Sequence, residues 1–387
     1  MRFDFSTANR ILFGPGTLKE MGSIAKTMGR HALLVHPPTG AGPDLAPLEE
    51  LLSKAGIDIT PFVVPGEPTV TLIQQASAAA RSAGCDFVIA IGGGSTLDTG
   101  KAVGVLLTNP GDVLDYLEVV GKNQPLINPG VAVIAIPSTA GTGAEVTRNA
   151  VLGVPEQKFK VSLRGNTLLP RVALVDPELT FGLPPAVTAA TGLDALTQVI
   201  EPYVSKRANP MVDLWCKEGI QRAGRALRRV YEQGSDPVAR EDMAYTSLLG
   251  GLSLANAGLG AVHGFASPLG GEFNAPHGAI CAALLAPAMR MNVRALAERA
   301  PSHPALARFG EVARLLTGSP TAEAADGIAW VTETVRLLNI PPLSTYGMTR
   351  EDLPRLVEKA GKASSMQANP IVLTEAELVE ILEQGLG

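Results

Sequence analysis

Five short apolar runs punctuate the first half of this 387-residue chain: HALLV (31–35), DITPFVV (58–64), DFVIAIGGG (86–94), VAVIAIP (131–137) and VALVD (172–176). They are rich in Val and Ile, show little alternation of polar and apolar residues, and are bounded by Gly, Pro or Asp. Strands of that kind are covered on both faces, as in a parallel sheet. Helical patterns such as TLIQQASAAARSAG (71–84) lie between them, so an open α/β sheet is expected. After FGLPP (181–185) strand-like runs nearly vanish, and helical patterns dominate, for example at 210–234 and 326–339. Prolines punctuate the chain at that point. The expected organisation is an α/β domain over residues 1–182 and an all-helical domain over 183–387, with ligands favouring the cleft between two such domains.

Hydrophobic residues make up 46% and charged residues 18%, enough apolar surface for a sizeable core and a balance unlike that of a disordered chain. The net charge is −5 and no Lys/Arg cluster occurs, which argues against nucleic acid as a partner. The uncharged stretch 243–271 is long enough to span a membrane. Its six glycines between 250 and 270, with Asn256, His263 and Pro268, make poor bilayer filler. A helix buried all round, and no membrane partner, is the expectation. Cysteines number three (Cys85, Cys216, Cys281) with no CxxC, and MRFDFSTANR has no apolar signal run. A reducing, cytoplasmic compartment is expected.

Two glycine-rich loops follow core strands. IGGGSTLDTGK (91–101) runs from a strand through Gly92, Gly93, Gly94 and Ser95 into a helix. Three glycines let a ligand approach the backbone, and the amides of a helix N-terminus attract an anion such as phosphate. One glycine would suffice for a plain turn. IPSTAGTGAEVT (136–147) adds the hydroxyls of Ser138, Thr139 and Thr142, although Ser and Thr also serve as helix caps. Two such loops at the carboxyl ends of parallel strands suggest a dinucleotide. GPGTLKEMG (14–22) lacks the spacing for that role and reads as a turn.

The chain has only five histidines. His263 and His277 both fall in the Gly-rich stretch AVHGFASPLGGEFNAPHGAICAALL, each followed by Gly. An imidazole in such surroundings needs a hydrogen bond or a metal. Asp194, inside the apolar helical pattern TGLDALTQVIEPYVS (191–205), is a third candidate, with a helix cap as its other reading. Gln198 lies four residues on, on the same side. Glu201 is read as a structural hydrogen-bond acceptor on that helix.

With these residues the sequence resembles the iron-containing (group III) alcohol dehydrogenase family over essentially its full length. GGGSTLDTGK resembles the family's GGGSxxDxxK, and IPSTAGTGAEVTRNAVL its IPTTAGTGSEVTxxAVI. VDPELTFGLPP, GLDALTQVIEPYVS and HGFASPLGGEFNAPHG resemble the next three family segments in order. The resemblance implies an α/β dinucleotide-binding domain followed by an all-α metal domain, a dehydroquinate synthase-like architecture. It implies NAD(P)-dependent interconversion of a small alcohol and an aldehyde or ketone by hydride transfer, with a divalent metal polarising the substrate oxygen. Gly93, Gly94, Ser95 and Asp98 would hold the pyrophosphate region. Ser138, Thr139 and Thr142 would line the nicotinamide side, and Asn149 and Lys160 would contact the cofactor or its ribose. Asp194, His263 and His277 would be three of four metal ligands, for Fe²⁺ or Zn²⁺.

Three departures stand out. Gln198 replaces the usual fourth metal-ligand His, and could serve only as a weaker neutral ligand. Ser267 replaces a His near the nicotinamide, so the proton route changes, with Ser267 itself one candidate. The first apolar run, HALLV, ends in His36-Pro37 where NAD-preferring members tend to place an Asp. Without that carboxylate a 2′-phosphate is repelled less, which leaves NAD and NADP both open. The alternatives are a metal-free enone-acid reductase like maleylacetate reductase, and a non-catalytic nucleotide-binding relative. A homodimer is the expected assembly.

Overall fold

The computed structural model describes residues 3–118, 120–157 and 159–387. They form two compact units. One comprises Phe5–Thr139 and Gly143–Leu183, and the other Pro184–Gly387 together with residues 3–4 and Ala140–Thr142.

The first unit is built on six strands: β1 (Arg10–Phe13), β2 (His31–His36), β3 (Asp58–Val63), β4 (Phe87–Gly92), β5 (Ala132–Pro137) and β8 (Val172–Val175). Their order is β1-β8-β5-β4-β2-β3, and every pairing is parallel. The runs lack alternation because both faces are covered. Ile89, Ile91, Ile134 and Ile136 enter one apolar cluster, while Val88, Ala90, Val133 and Ala135 enter another. Helix Gly94–Leu106, which leaves β4, lies close against this second face. A Cβ on Gly100 would stand 2.6 Å from that of Ala90, and one on Gly104 would stand 2.5 Å from Cγ2 of Val133. The glycines of TGKAVG are therefore packing requirements.

Two elements of this unit gave no clear signal in the sequence. β1 is a short, half-buried edge strand. β6 (Asn149–Val154) and β7 (Phe159–Arg164) form a separate antiparallel hairpin. The hairpin is anchored by a buried ion pair. Lys101 Nζ lies 2.8 Å from Asp98 Oδ1, and it also donates to the carbonyls of Ala144 and Asn149 and to Thr147 Oγ1. The other Asp98 oxygen accepts from the amide of Val151 at 2.8 Å. The 14–22 segment, read as a turn, turns at 14–16 and then enters a 3-10 helix (Thr17–Glu20) that leads into helix Met21–Ala25, its Gly16 and Leu18 amides held by the Asp176 carboxylate.

Glu145 lies buried beside this network with one carboxyl oxygen unpaired. Burial pushes its carboxyl from the ordinary value of 4.5 up to about 7; its own backbone hydrogen bond and the Lys101 charge only partly offset this. The folded state thus holds the proton more tightly than the unfolded chain. The associated stability is complete below the unfolded value and is lost as pH rises through the folded one, on the order of 3 kcal/mol by pH 8. Glu145→Gln should flatten this dependence. Urea midpoints at pH 5 and pH 8 would converge in the variant, and equal pH shifts in both proteins would remove Glu145 as the cause.

The second unit is helical. Helices Pro185–Val204, Pro210–Glu232, Pro237–Ala257 and Pro304–Thr317 each begin at Pro, whose fixed φ suits a first turn. Asn209 and Asp236 cap two of them through side-chain oxygens. The uncharged stretch corrects one expectation: it is two helices and not one. Pro237–Ala257 ends at Gly258 with φ +69°, and Ala261–Glu272 sets off at 99° to it. Helix His277–Arg299 is also long and apolar enough to cross a membrane, but 78% of its apolar window is buried in the protein.

Candidate functional site

Three helices of the second unit bring four donor side chains together. Asp194 lies on Pro185–Val204, His263 on Ala261–Glu272, and His277 and Cys281 on His277–Arg299. One donor atom from each lies within 4.8 Å of all the others. The glycine after each histidine has a steric reason. A Cβ on Gly278 would meet the Ala190 carbonyl oxygen at 2.5 Å, and one on Gly264 would meet Cε of Met366 at 2.8 Å. Gly278 thus lets helix His277–Arg299 approach helix Pro185–Val204 closely, and Gly264 makes room for the Met366 side chain.

Asp194 is 1% exposed, and its Oδ1 is buried with no hydrogen-bond partner. That oxygen faces Nε2 of His263 at 3.4 Å and Nε2 of His277 at 3.7 Å. Glu201 Oε2 accepts from His263 Nδ1 at 2.7 Å, which fixes the ring and turns Nε2 toward the cluster, where a cation would take the place of its proton. Burial works against charge on the imidazoles, but the Cys281 sulfur and the Asp194 carboxylate outweigh it. His277 is held up at about 9 and His263 well above the usual histidine range. Burial alone would raise Asp194, yet His277 and His263 bring it below the usual range. The pocket favours positive charge, and its orphaned anionic oxygen fits a cation.

In the first unit β4 and β5 are neighbours, and their terminal residues Gly92 and Pro137 are paired. The two glycine loops therefore start side by side, tied by the Ser138 amide donating to Gly92 O at 2.9 Å. Gly93 is extended and caps helix Gly94–Leu106 without any side chain. The amides of Gly94 and Ser95 thus begin a helix with no preceding turn to bond them. A Cβ on Gly93 would stand 3.5 Å from Cγ2 of Thr139. Gly143 takes the left-handed region at φ +59° and turns the second loop.

The iron-containing alcohol dehydrogenase family matches residues 8–177, and the C-terminal part of the Fe-containing alcohol dehydrogenase family matches residues 188–386. The chain belongs to the iron-containing alcohol dehydrogenase family. It is 36% identical to the 1,3-propanediol dehydrogenase of Klebsiella pneumoniae, over 99% of this chain and 98% of that one. A crystal structure of 1,3-propanediol oxidoreductase superposes with a TM-score of 0.91 at 35% identity, with all of both chains covered. The sulfoacetaldehyde reductase of Bifidobacterium kashiwanohense, solved in complex with NAD+, gives a TM-score of 0.87 at 26% identity, covering 100% of this chain and 99% of that one. The protein is an alcohol dehydrogenase that uses NAD(P) and a divalent metal. Neither a metal-free enone-acid reductase nor a non-catalytic nucleotide binder is favoured.

This dehydrogenase distributes the residues singled out in its sequence as follows. Asp194, His263 and His277 come together. Gln198 is buried, and its amide nitrogen donates to Gly141 O at 2.7 Å. Ser267 is half-buried, one turn after His263. Gly93, Gly94, Ser95, Ser138 and Thr139 belong to the paired loops, and Thr142 belongs to the helical unit. Both Asp98 oxygens are engaged within the protein, by Lys101 and Val151. Asn149 and Lys160 lie on the hairpin, with Lys160 3.3 Å from Glu67. The other histidines are occupied elsewhere: His31 with Thr60, His36 with the Pro37 carbonyl and His303 with the Ala305 amide. Cys281 is the residue that sequence reasoning missed. Its signal was the four-residue spacing from His277 on an apolar helix.

Glu201 is the orienting group for His263, and its Oε1 accepts from the Val262 amide at 2.8 Å. Glu201→Gln sets an amide N–H against one of these two donors. Metal affinity is expected to fall about 10–100-fold, with NADH affinity unchanged. Metal titration alongside NADH fluorescence checks this, and an unaltered metal affinity would end the orienting role.

Proposed function

We propose that Asp194, His263 and His277 hold the catalytic cation, Fe²⁺ or Zn²⁺, and that the loops at 92–95 and 138–142 hold the NAD(P) cofactor. When bound, the cation supplies Lewis-acid stabilisation of the alkoxide and the nicotinamide carries the hydride. The observation that carries this reading is the unpaired, buried Asp194 Oδ1 facing two imidazole nitrogens. Gly93, Gly94 and Ser95 offer amides to the pyrophosphate at the start of a 13-residue helix. Asp98 serves that loop by fixing Lys101 and the hairpin bearing Asn149 and Lys160. Ser138, Thr139 and Thr142 supply hydroxyls on the nicotinamide side. Ser267 takes part in the proton route, in the position one turn after His263.

The substrate is a small alcohol or its aldehyde, and the assembly is a homodimer, the commonest soluble oligomer. Three free cysteines among the described residues accord with a reducing, cytoplasmic setting. The deciding experiment is a spectrophotometric screen of aldehydes and alcohols, 1,3-propanediol among them, with NADH and NADPH, with metal content measured before and after chelation. Turnover that disappears on chelation and returns with Fe²⁺ or Zn²⁺ supports the reading. Full activity in a verified metal-free protein would overturn it.

A further inference from the structure

Gln198 leaves the metal centre one imidazole short, and its amide nitrogen is committed to Gly141 O. The best it can offer is a neutral carbonyl oxygen. One turn after His277, the Cys281 side chain is fully buried and turned into the cluster. Its Sγ lies 3.8 Å from Nε2 of His263 and 3.7 Å from Nε2 of His277. We propose that the Cys281 thiolate is the fourth donor of this centre, replacing the imidazole absent at position 198 and making a two-His, one-Asp, one-Cys site suited to zinc. The inference rests on the metal-dependent reading above.

Donor spacing supports it. Bond lengths of about 2.0–2.1 Å to nitrogen or oxygen and about 2.3 Å to thiolate sulfur, at tetrahedral angles, put nitrogen–oxygen edges at about 3.4 Å and nitrogen–sulfur edges at about 3.6 Å. The corresponding distances here are 3.4 and 3.7 Å from Asp194 Oδ1 to the two Nε2 atoms, and 3.8 and 3.7 Å from Cys281 Sγ to the same atoms. Four of the six donor–donor separations thus match the edges of one coordination tetrahedron, and all six lie within 4.8 Å. Charge supports it too. Asp194 and a Cys281 thiolate, whose proton leaves to solvent on binding, balance a divalent cation in a buried site. Thiolate donors select softer ions such as zinc over magnesium or calcium. Cys216 provides the contrast. It is equally buried, but its neighbour is the Ser253 hydroxyl, and burial pushes its thiol up to about 12. A buried cysteine in this fold is therefore not by default near metal donors.

Cobalt substitution tests this without relying on turnover. The metal-free protein loaded with one equivalent of Co²⁺ should develop near-ultraviolet thiolate-to-cobalt charge-transfer absorption. Cys281→Ser should lose that band and bind cobalt and zinc about tenfold or more weakly, whereas Cys216→Ser should keep both. Adding Gln198→His to Cys281→Ser should restore affinity without the band. This also separates loss of a donor from misfolding. Stoichiometric cobalt with no charge-transfer band in the parent, or a band persisting in Cys281→Ser, overturns the cysteine assignment and leaves the metal centre standing. Failure of the parent to bind cobalt or zinc at all overturns both.

Discussion

In the His277→Ala protein kcat/KM is expected to fall by more than about a hundredfold, beyond the usual effect of altering a group behind a ligand. The ring occupies the first residue of helix His277–Arg299, and Gly278 seats that helix against the Ala190 carbonyl. Nothing else on that turn can bring a nitrogen to the Asp194 oxygen. Metal content after dialysis should drop in parallel, while NADH binding, which we propose rests on the glycine loops, should hold. An alanine variant that turned over at the parental rate would remove His277 from the donor set. Equal loss of metal and NADH binding would instead indicate damaged folding.

Lys101→Met is expected to cost about 3–5 kcal/mol of stability, the usual penalty for breaking a buried ion pair from one side. The Lys101 side chain is fully buried and that of Asp98 is 12% exposed, so water cannot replace the lost partner. Three further hydrogen bonds, to Ala144, Thr147 and Asn149, disappear with the ammonium. Asp98→Asn in the same background should recover part of the loss, because the stranded charge is then gone. Urea unfolding followed by circular dichroism is the suitable measurement, since Trp215 and Trp330 both lie in the helical unit. A single variant within 1 kcal/mol of the parent would mean that Asp98 finds another partner.

The sheet was legible because its central strands are covered on two sides, which writes long apolar runs such as FVIAIG into the sequence. β1 and the β6–β7 hairpin escaped because each buries only part of its surface. Strand β6 of the hairpin alternates buried and half-buried positions over just six residues. The 243–271 stretch was read as one element because composition reports burial but not direction; the bend comes from the backbone at Gly258. Among the site residues, the paired His-Gly motifs marked His263 and His277, since scarce imidazoles in apolar surroundings demand partners. The occupation of Gln198 was hidden, because its acceptor at Gly141 is 57 residues away. Cys281 was weighed only as an indicator of compartment, although it lies one helical turn beyond a proposed ligand. Asp98 stands inside a phosphate-type motif, yet its oxygens face Lys101 and Val151.

The contacts at Gly264 and Gly278 have a practical consequence. At Gly278 the separation of two converging helices is fixed where main chain meets main chain, independently of whatever functional group hangs into the space between them. With Cys281 as the proposed fourth donor, such a frame would let hardness, charge and redox tuning be varied by editing position 198 or 281 while the scaffold stays put. For anyone redesigning the catalyst toward iron, cobalt or zinc, those two positions are the dials to turn.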